Sequence, residues 1–135
     1  MIVDTSFVLD IIDDVAAAVD KERALEAENV PLVIPTMTVL ELYIGVGKVA
    51  DTREGRQRIE AVFDSSPVVA LTPTISRRAG RLLGQRMAEA DPGDGPGIGK
   101  GDAVIAATAL EREEPVLAAD SHFETIPGVA LETYQ

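Results

Sequence analysis

The sequence predicts an α/β fold with a mainly parallel sheet of four to five strands flanked by helices on both faces. Three observations predict it. Short apolar runs alternate with segments of helical periodicity along the whole chain. The runs, "PLVIP" and "PVVAL" among them, are apolar throughout instead of alternating, as strands buried on both faces must be. With 135 residues, 46% hydrophobic content and no cysteine, the chain is expected to fold as one domain, 1–135, burying about two thirds of its unfolded surface without disulfides.

The first element, "MIV", is a short buried strand ending at Asp4, and the apolar positions Phe7, Val8, Leu9, Ile11 and Ile12 then predict a helix. A second helix is expected from Val15 to about Glu28. "PLVIP", Pro31 to Pro35, is a buried strand fenced by prolines, after which Thr36 or Thr38 caps a helix running toward Gly47. The polar stretch from Asp51 to Phe63, apolar only toward Ile59, Val62 and Phe63, reads as an exposed helix. "PVVAL", Pro67 to Leu71, is the third strand. "TPT" opens a helix with Pro73 in its first turn; Ile75, Ala79, Leu82, Leu83 and Met87 form its inward stripe, with Arg77 and Arg81 on the far side. The run "DPGDGPGIGKG", Asp91 to Gly101, is too rich in glycine and proline for either element and is a loop. A helix from Asp102 follows, apolar from Ala103 to Leu110 except for the Thr108 hydroxyl, and therefore mostly buried. "PVLAAD" is a strand ending at Asp120, and "VALETY" is a weaker one.

Composition removes several functions. Without cysteine there is no thiolate catalysis and no zinc-thiolate site. No run approaches the length of a membrane span and "MIVDTS" lacks the features of a signal peptide, so a cytoplasmic protein with no membrane partner is expected. No Gly-x-Ser-x-Gly elbow is present, and "GIGKGD" does not match a phosphate loop. The balance of 23 acidic against 12 basic residues gives net −11, which repels nucleic acid at low salt and suits a salt-rich cytoplasm.

In sheets of this kind ligands bind at the carboxyl ends of the strands. Asp4 ends the first predicted strand, Asp120 ends the fourth, and Asp102 begins the helix that feeds the fourth. Glu41 joins them if Met37, Leu40, Glu41 and Ile44 form the buried stripe of their helix; Val39, Tyr43 and Val46 offer an alternative apolar face that would turn Glu41 to solvent. Each aspartate also has a structural role open to it: Asp4 in a turn, Asp102 and Asp120 as helix caps. The nearest bases in sequence, Lys48 and Lys100, sit in or beside glycine-containing stretches and need not point inward. Four acids meeting at one edge require compact positive charge, and ligands that are all oxygen select Mg²⁺ or Mn²⁺ over zinc. Such a set suits phosphodiester hydrolysis. Thr5 and Ser6 offer hydroxyls that either orient a carboxylate or cap the next helix, and His122, the sole histidine, is a candidate substrate contact.

Taken in order, "IVDTSFVLDII", "IPTMTVLELYIGV", "GDAVIAATAL" and "VLAADSHFETIPGVALETY" resemble the motif blocks of PIN-domain ribonucleases over almost the entire chain, and more narrowly those of the toxins of VapBC toxin–antitoxin pairs. The resemblance implies a metal-dependent endoribonuclease whose acidic motif falls on Asp4, Glu41, Asp102 and Asp120, with Thr5 or Ser6 at the hydroxyl position beside the first acid. It also implies a homodimer and a small antitoxin partner; the apolar helix from Leu40 to Val46 has more apolar surface than one core needs and is available for either contact. The chain departs from the pattern at Ala118, where many relatives carry a threonine, which removes one hydroxyl near Asp120. RNA contact by so acidic a chain falls to arginines among Arg53, Arg56, Arg58, Arg77, Arg78 and Arg81, with Arg77 and Arg81 foremost. Two rivals are a non-catalytic PIN-like binding module and a receiver-type signalling domain. The latter needs paired acids after the first strand and a lysine after the last core strand, and the chain has neither.

Overall fold

A computed structural model describes residues 1–48, 53–119 and 121–135. Asp120 and the expected helix start at Asp51 therefore lie outside the described residues. The strand β1 (Ile2–Val3) pairs in parallel with β4 (Val116–Leu117), β4 with β5 (Leu131–Glu132), and β2 (Ile34–Pro35) with β3 (Val68–Val69). A parallel bridge from Ile2 to Val33, with the Val3 N–H donating to the Val33 carbonyl at 3.0 Å, joins the pairs into one sheet ordered β3-β2-β1-β4-β5. All pairings are parallel, as the continuous apolar runs require.

The helices are α1 (Thr5–Ile12), α2 (Ala16–Ala27), α3 (Thr36–Lys48), α4 (Arg53–Ser65), α5 (Pro73–Glu89) and α6 (Lys100–Arg112), followed by a 3-10 turn at His122–Thr125. Successive strand residues point to opposite faces. Ile2, Val33 and Val116 thus pack with Ile75, Ala79, the buried residues of α6 and Phe123, while Val3, Ile34 and Leu117 pack with Phe7, Val8, Ala18, Leu25, Leu42 and Ile59. One layer is built from α5 and α6, the other from α1 to α4. The α/β sandwich read from the sequence is the fold observed.

Three local expectations need correcting. Asp102 does not cap α6: the helix begins two residues earlier, at Lys100, with Gly99 at the cap, so Asp102 lies in the first turn and accepts the Gly99 N–H through Oδ2 at 3.1 Å. On α3 the buried face is Thr38 and Leu42, flanked by Val39, Tyr43 and Val46, while Leu40 and Ile44 are 53% and 49% exposed. Of the stripe that was to carry Glu41 inward, Leu40 and Ile44 thus face solvent, while Met37 packs against the core. On α5 the inward stripe stops at Leu83, because Met87 is 56% exposed beyond the contact with α6. Thr72 caps α5, accepting the Ile75 N–H at 3.2 Å, and Pro73 sits in its first turn, where its missing N–H has no helical acceptor to lose.

Candidate functional site

From β1 the chain leaves toward β2 on one side, and from β3 it crosses through α5 and α6 to reach β4 on the other. The carboxyl ends of β1 and β4 therefore flank the switch point of the sheet, where open α/β folds form clefts. Asp4 follows β1 directly; its N–H still donates to Leu117 of β4 at 2.9 Å, and its carbonyl accepts the Phe7 N–H at 3.2 Å as α1 begins. The acid is thereby held between a strand ladder and a helix start. It is 8% exposed. Ser6 Oγ donates to Asp4 Oδ2 at 2.7 Å, so the hydroxyl orients the carboxylate and does not cap α1.

Glu41 arrives from the opposite side of β1. The Thr38 hydroxyl reaches the Val3 carbonyl at 3.4 Å, docking the first turns of α3 on the end of β1. Glu41 stands three residues further along, at the edge of that buried face, and so reaches the site even though the Leu40–Ile44 face points outward. Burial raises its pKa above the ordinary 4.5; the Thr5 side chain offsets part of this, and the Asp4 and then the Asp102 charge raise it further. Three carboxylates from distant segments thus feel one another. Among the described residues none of them is paired with a lysine or arginine.

Asp102 is held at both oxygens, Oδ2 by the Gly99 N–H and Oδ1 by His122 Nε2 at 3.2 Å. The position of the Glu41 carboxylate depends on Gly101. A β-carbon there would stand 2.6 Å from Glu41 Oε1 and 3.1 Å from its Cδ. Tyr134 closes the other side: its hydroxyl donates to Asp10 Oδ2 at 2.6 Å and its ring meets Phe7 edge-on at 5.0 Å. Burial, then the Asp10 carboxylate, push the Tyr134 hydroxyl above its ordinary range, so it stays protonated and donating.

The set fits a hard divalent cation by its chemistry. The donors are carboxylates, and among the described residues they have no lysine or arginine as counter-charge. Among the described residues, however, no three of these groups stand at ligand distance from a single point. Asp4, Glu41 and Asp102 share the edge; Asp120, the fourth expected acid, lies outside the described residues. Arg81 lines a groove along α5, and Arg77 is exposed outside it. Gly101 and Tyr134 were missed by the sequence reading. The first was hidden in a glycine-rich loop, and the second carried no local signal because its partners lie at the other end of the chain.

The PIN domain family model matches residues 1–129. No match was found among curated proteins. Among solved structures, VapBC2 of Rickettsia felis bound to a DNA fragment from its promoter aligns with TM-score 0.84 at 18% identity, covering 99% of this chain and 98% of that one. VapBC-5 of Mycobacterium tuberculosis, a member of the VapBC toxin–antitoxin family, aligns with TM-score 0.62 at 26% identity over 99% and 96% of the two chains. VapC20 of the same organism, described as a toxin that cleaves the sarcin-ricin loop, aligns with TM-score 0.68 at 16% identity over 96% and 97%.

Proposed function

The chain belongs to the PIN domain family, and from that premise we propose that it is a metal-dependent endoribonuclease, the toxin of a toxin–antitoxin pair. The observation that carries this reading is the convergence of Asp4, Glu41 and Asp102 at the strand switch point, close enough to raise the Glu41 pKa and without a basic partner among the described residues. The similarity to VapBC complexes and to an RNA-cleaving VapC supports it. Asp4, Glu41 and Asp102, with Asp120, would hold Mg²⁺ or Mn²⁺. Such a cation, when bound, supplies an acidified water for attack at phosphorus and charge for the leaving oxygen.

The protein's own part is positioning. Ser6 fixes the Asp4 carboxylate, His122 and the Gly99 N–H fix Asp102, and Gly101 leaves room for Glu41. Leu40 and Ile44 on α3, with exposed Leu71 tied beside them through its N–H to Thr36 Oγ1 at 3.0 Å, form the apolar surface on which a second copy or the antitoxin would dock.

Substituting Asp4→Asn or Asp102→Asn tests the assignment. Each variant is expected to lower Mn²⁺-dependent RNA cleavage by about a hundredfold or more while keeping its circular dichroism and thermal transition. Undiminished cleavage and growth arrest by either folded variant would refute the roles given to these residues. Sequencing of RNA ends after inducing the wild-type chain without its partner identifies the substrate.

A further inference from the structure

An enzyme of net −11 with an acidic centre must still hold a polyanion, and one helix is built against the general trend. Within α5 lie four of the chain's 12 basic residues, Arg77, Arg78, Arg81 and Arg86, and only one of its 23 acidic residues, Glu89. Three of these arginines share a face. Arg78, Arg81 and Arg86, with Gln85 between them, wall a groove of about 590 Å³ that Glu89 also lines and whose other side is Leu110, Thr125 and Pro127. From Arg78 to Arg86 the row runs about 12 Å at the helical rise per residue.

A hydrogen-bond relay ties the groove to the carboxylate edge. Arg86 donates to the Thr125 carbonyl at 3.1 Å and to its hydroxyl at 2.6 Å; that hydroxyl donates to the His122 carbonyl at 2.8 Å, and the His122 ring meets Asp102 at 3.2 Å. His122 and Thr125 are the two ends of one 3-10 turn, about 6 Å long. The far end of the row is Arg78, engaged by Glu111 at 2.8 Å, and Arg81 between the two has no carboxylate partner among the described residues.

We propose that this groove is the track for the phosphate backbone of single-stranded RNA, with Arg81 and Arg78 contacting phosphates and Arg86 acting as a positioning residue that holds the turn carrying His122. The proposal rests on the ribonuclease reading above and deepens it. Guanidinium groups match phosphate oxygens in fork geometry, and a basic groove that follows the backbone is how single strands are held without sequence readout. Local positive charge is what an acidic molecule needs if repulsion is not to reject its substrate. An acidic protein tail would suit the charge as well, but it carries no phosphodiester on which the carboxylate edge could act.

Binding of a short labelled single-stranded RNA of mixed sequence is measured by anisotropy over a KCl series, in the non-cleaving Asp4→Asn background. Arg81→Gln and Arg78→Gln are each compared with Arg23→Gln on α2, which removes one charge elsewhere. Each groove variant is expected to weaken binding about threefold to tenfold beyond Arg23→Gln and to reduce the salt slope by about 0.7. In the otherwise wild-type chain without RNA, Arg86→Gln is expected to weaken Mn²⁺ binding, read by thermal shift, as the His122–Asp102 contact loosens. Groove variants indistinguishable from Arg23→Gln overturn the track while leaving wild-type cleavage, and hence the ribonuclease reading, standing. Loss of hexaglutamate binding with RNA binding intact assigns the groove to an acidic peptide and also overturns it. Absence of Mn²⁺-dependent cleavage by the wild-type chain overturns both.

Discussion

Gly101 has no β-carbon, and the Glu41 carboxylate lies where one would be. Gly101 is in the first turn of α6 and the carboxylate is the free end of a side chain on α3, so Gly101→Ala displaces the carboxylate from the place it holds near Asp4 and Asp102. We expect that variant to fold and to lose cleavage about tenfold or more. Shortening the acid, in the Gly101→Ala, Glu41→Asp double variant, should recover part of the loss; a double variant no better than the single one would show that the contact is not what positions Glu41. The raised Glu41 pKa carries a second prediction. A carboxyl whose folded pKa lies above its unfolded value stabilises the fold fully below the unfolded value, and this stabilisation is lost as pH rises through the folded one. Ionised Glu41 therefore costs stability at neutral pH. Without divalent cation, Glu41→Gln should melt higher than wild type at pH 7 and lose that advantage below pH ~4.5. Added Mn²⁺ should then raise the wild-type Tm more than that of the variant.

At the level of elements, α6 is the clearest case of sequence dictating environment. Every residue from Ala103 to Ala109 is buried, and the one polar side chain among them, Thr108, turns its hydroxyl back to the Val104 carbonyl at 2.7 Å. Ala106 and Ala107 are fully buried in a helix that packs against α5, α3, β1 and β4. Ala106→Leu should cost about 1–3 kcal/mol by overpacking, measurable by urea denaturation. The neighbouring helix α3 was less legible. Its apolar residues surround it almost completely, so periodicity could not choose a buried face. The choice was made by Thr38, whose hydroxyl finds the Val3 carbonyl and rotates Leu40 and Ile44 outward. Met87 on α5 was misplaced likewise: it continues the apolar stripe in sequence but is 56% exposed in the fold.

Across the whole molecule, an acidic surface of net −11 surrounds a core packed on both faces of one sheet. Self-repulsion of such a surface is screened as the Debye length falls from about 10 Å at 0.1 M salt to about 3 Å at 1 M. The Tm is therefore expected to rise by roughly 5 °C between low and molar KCl, corresponding to about 1 kcal/mol. A flat profile would mean that the acids are spread too widely to interact. Element identities and the parallel sheet were readable from local pattern, because apolar runs and helical periodicity report burial along the chain itself, whereas for Asp4 and Asp102 that pattern left turn and cap roles open. The strand order, the rotation of α3, the room Gly101 leaves for Glu41 and the bracing of Asp4 and Asp102 by Ser6 and His122 were decided only in three dimensions. Those features depend on contacts between residues such as Glu41 and Gly101 that are far apart in sequence, and no one-dimensional periodicity encodes which surfaces will meet.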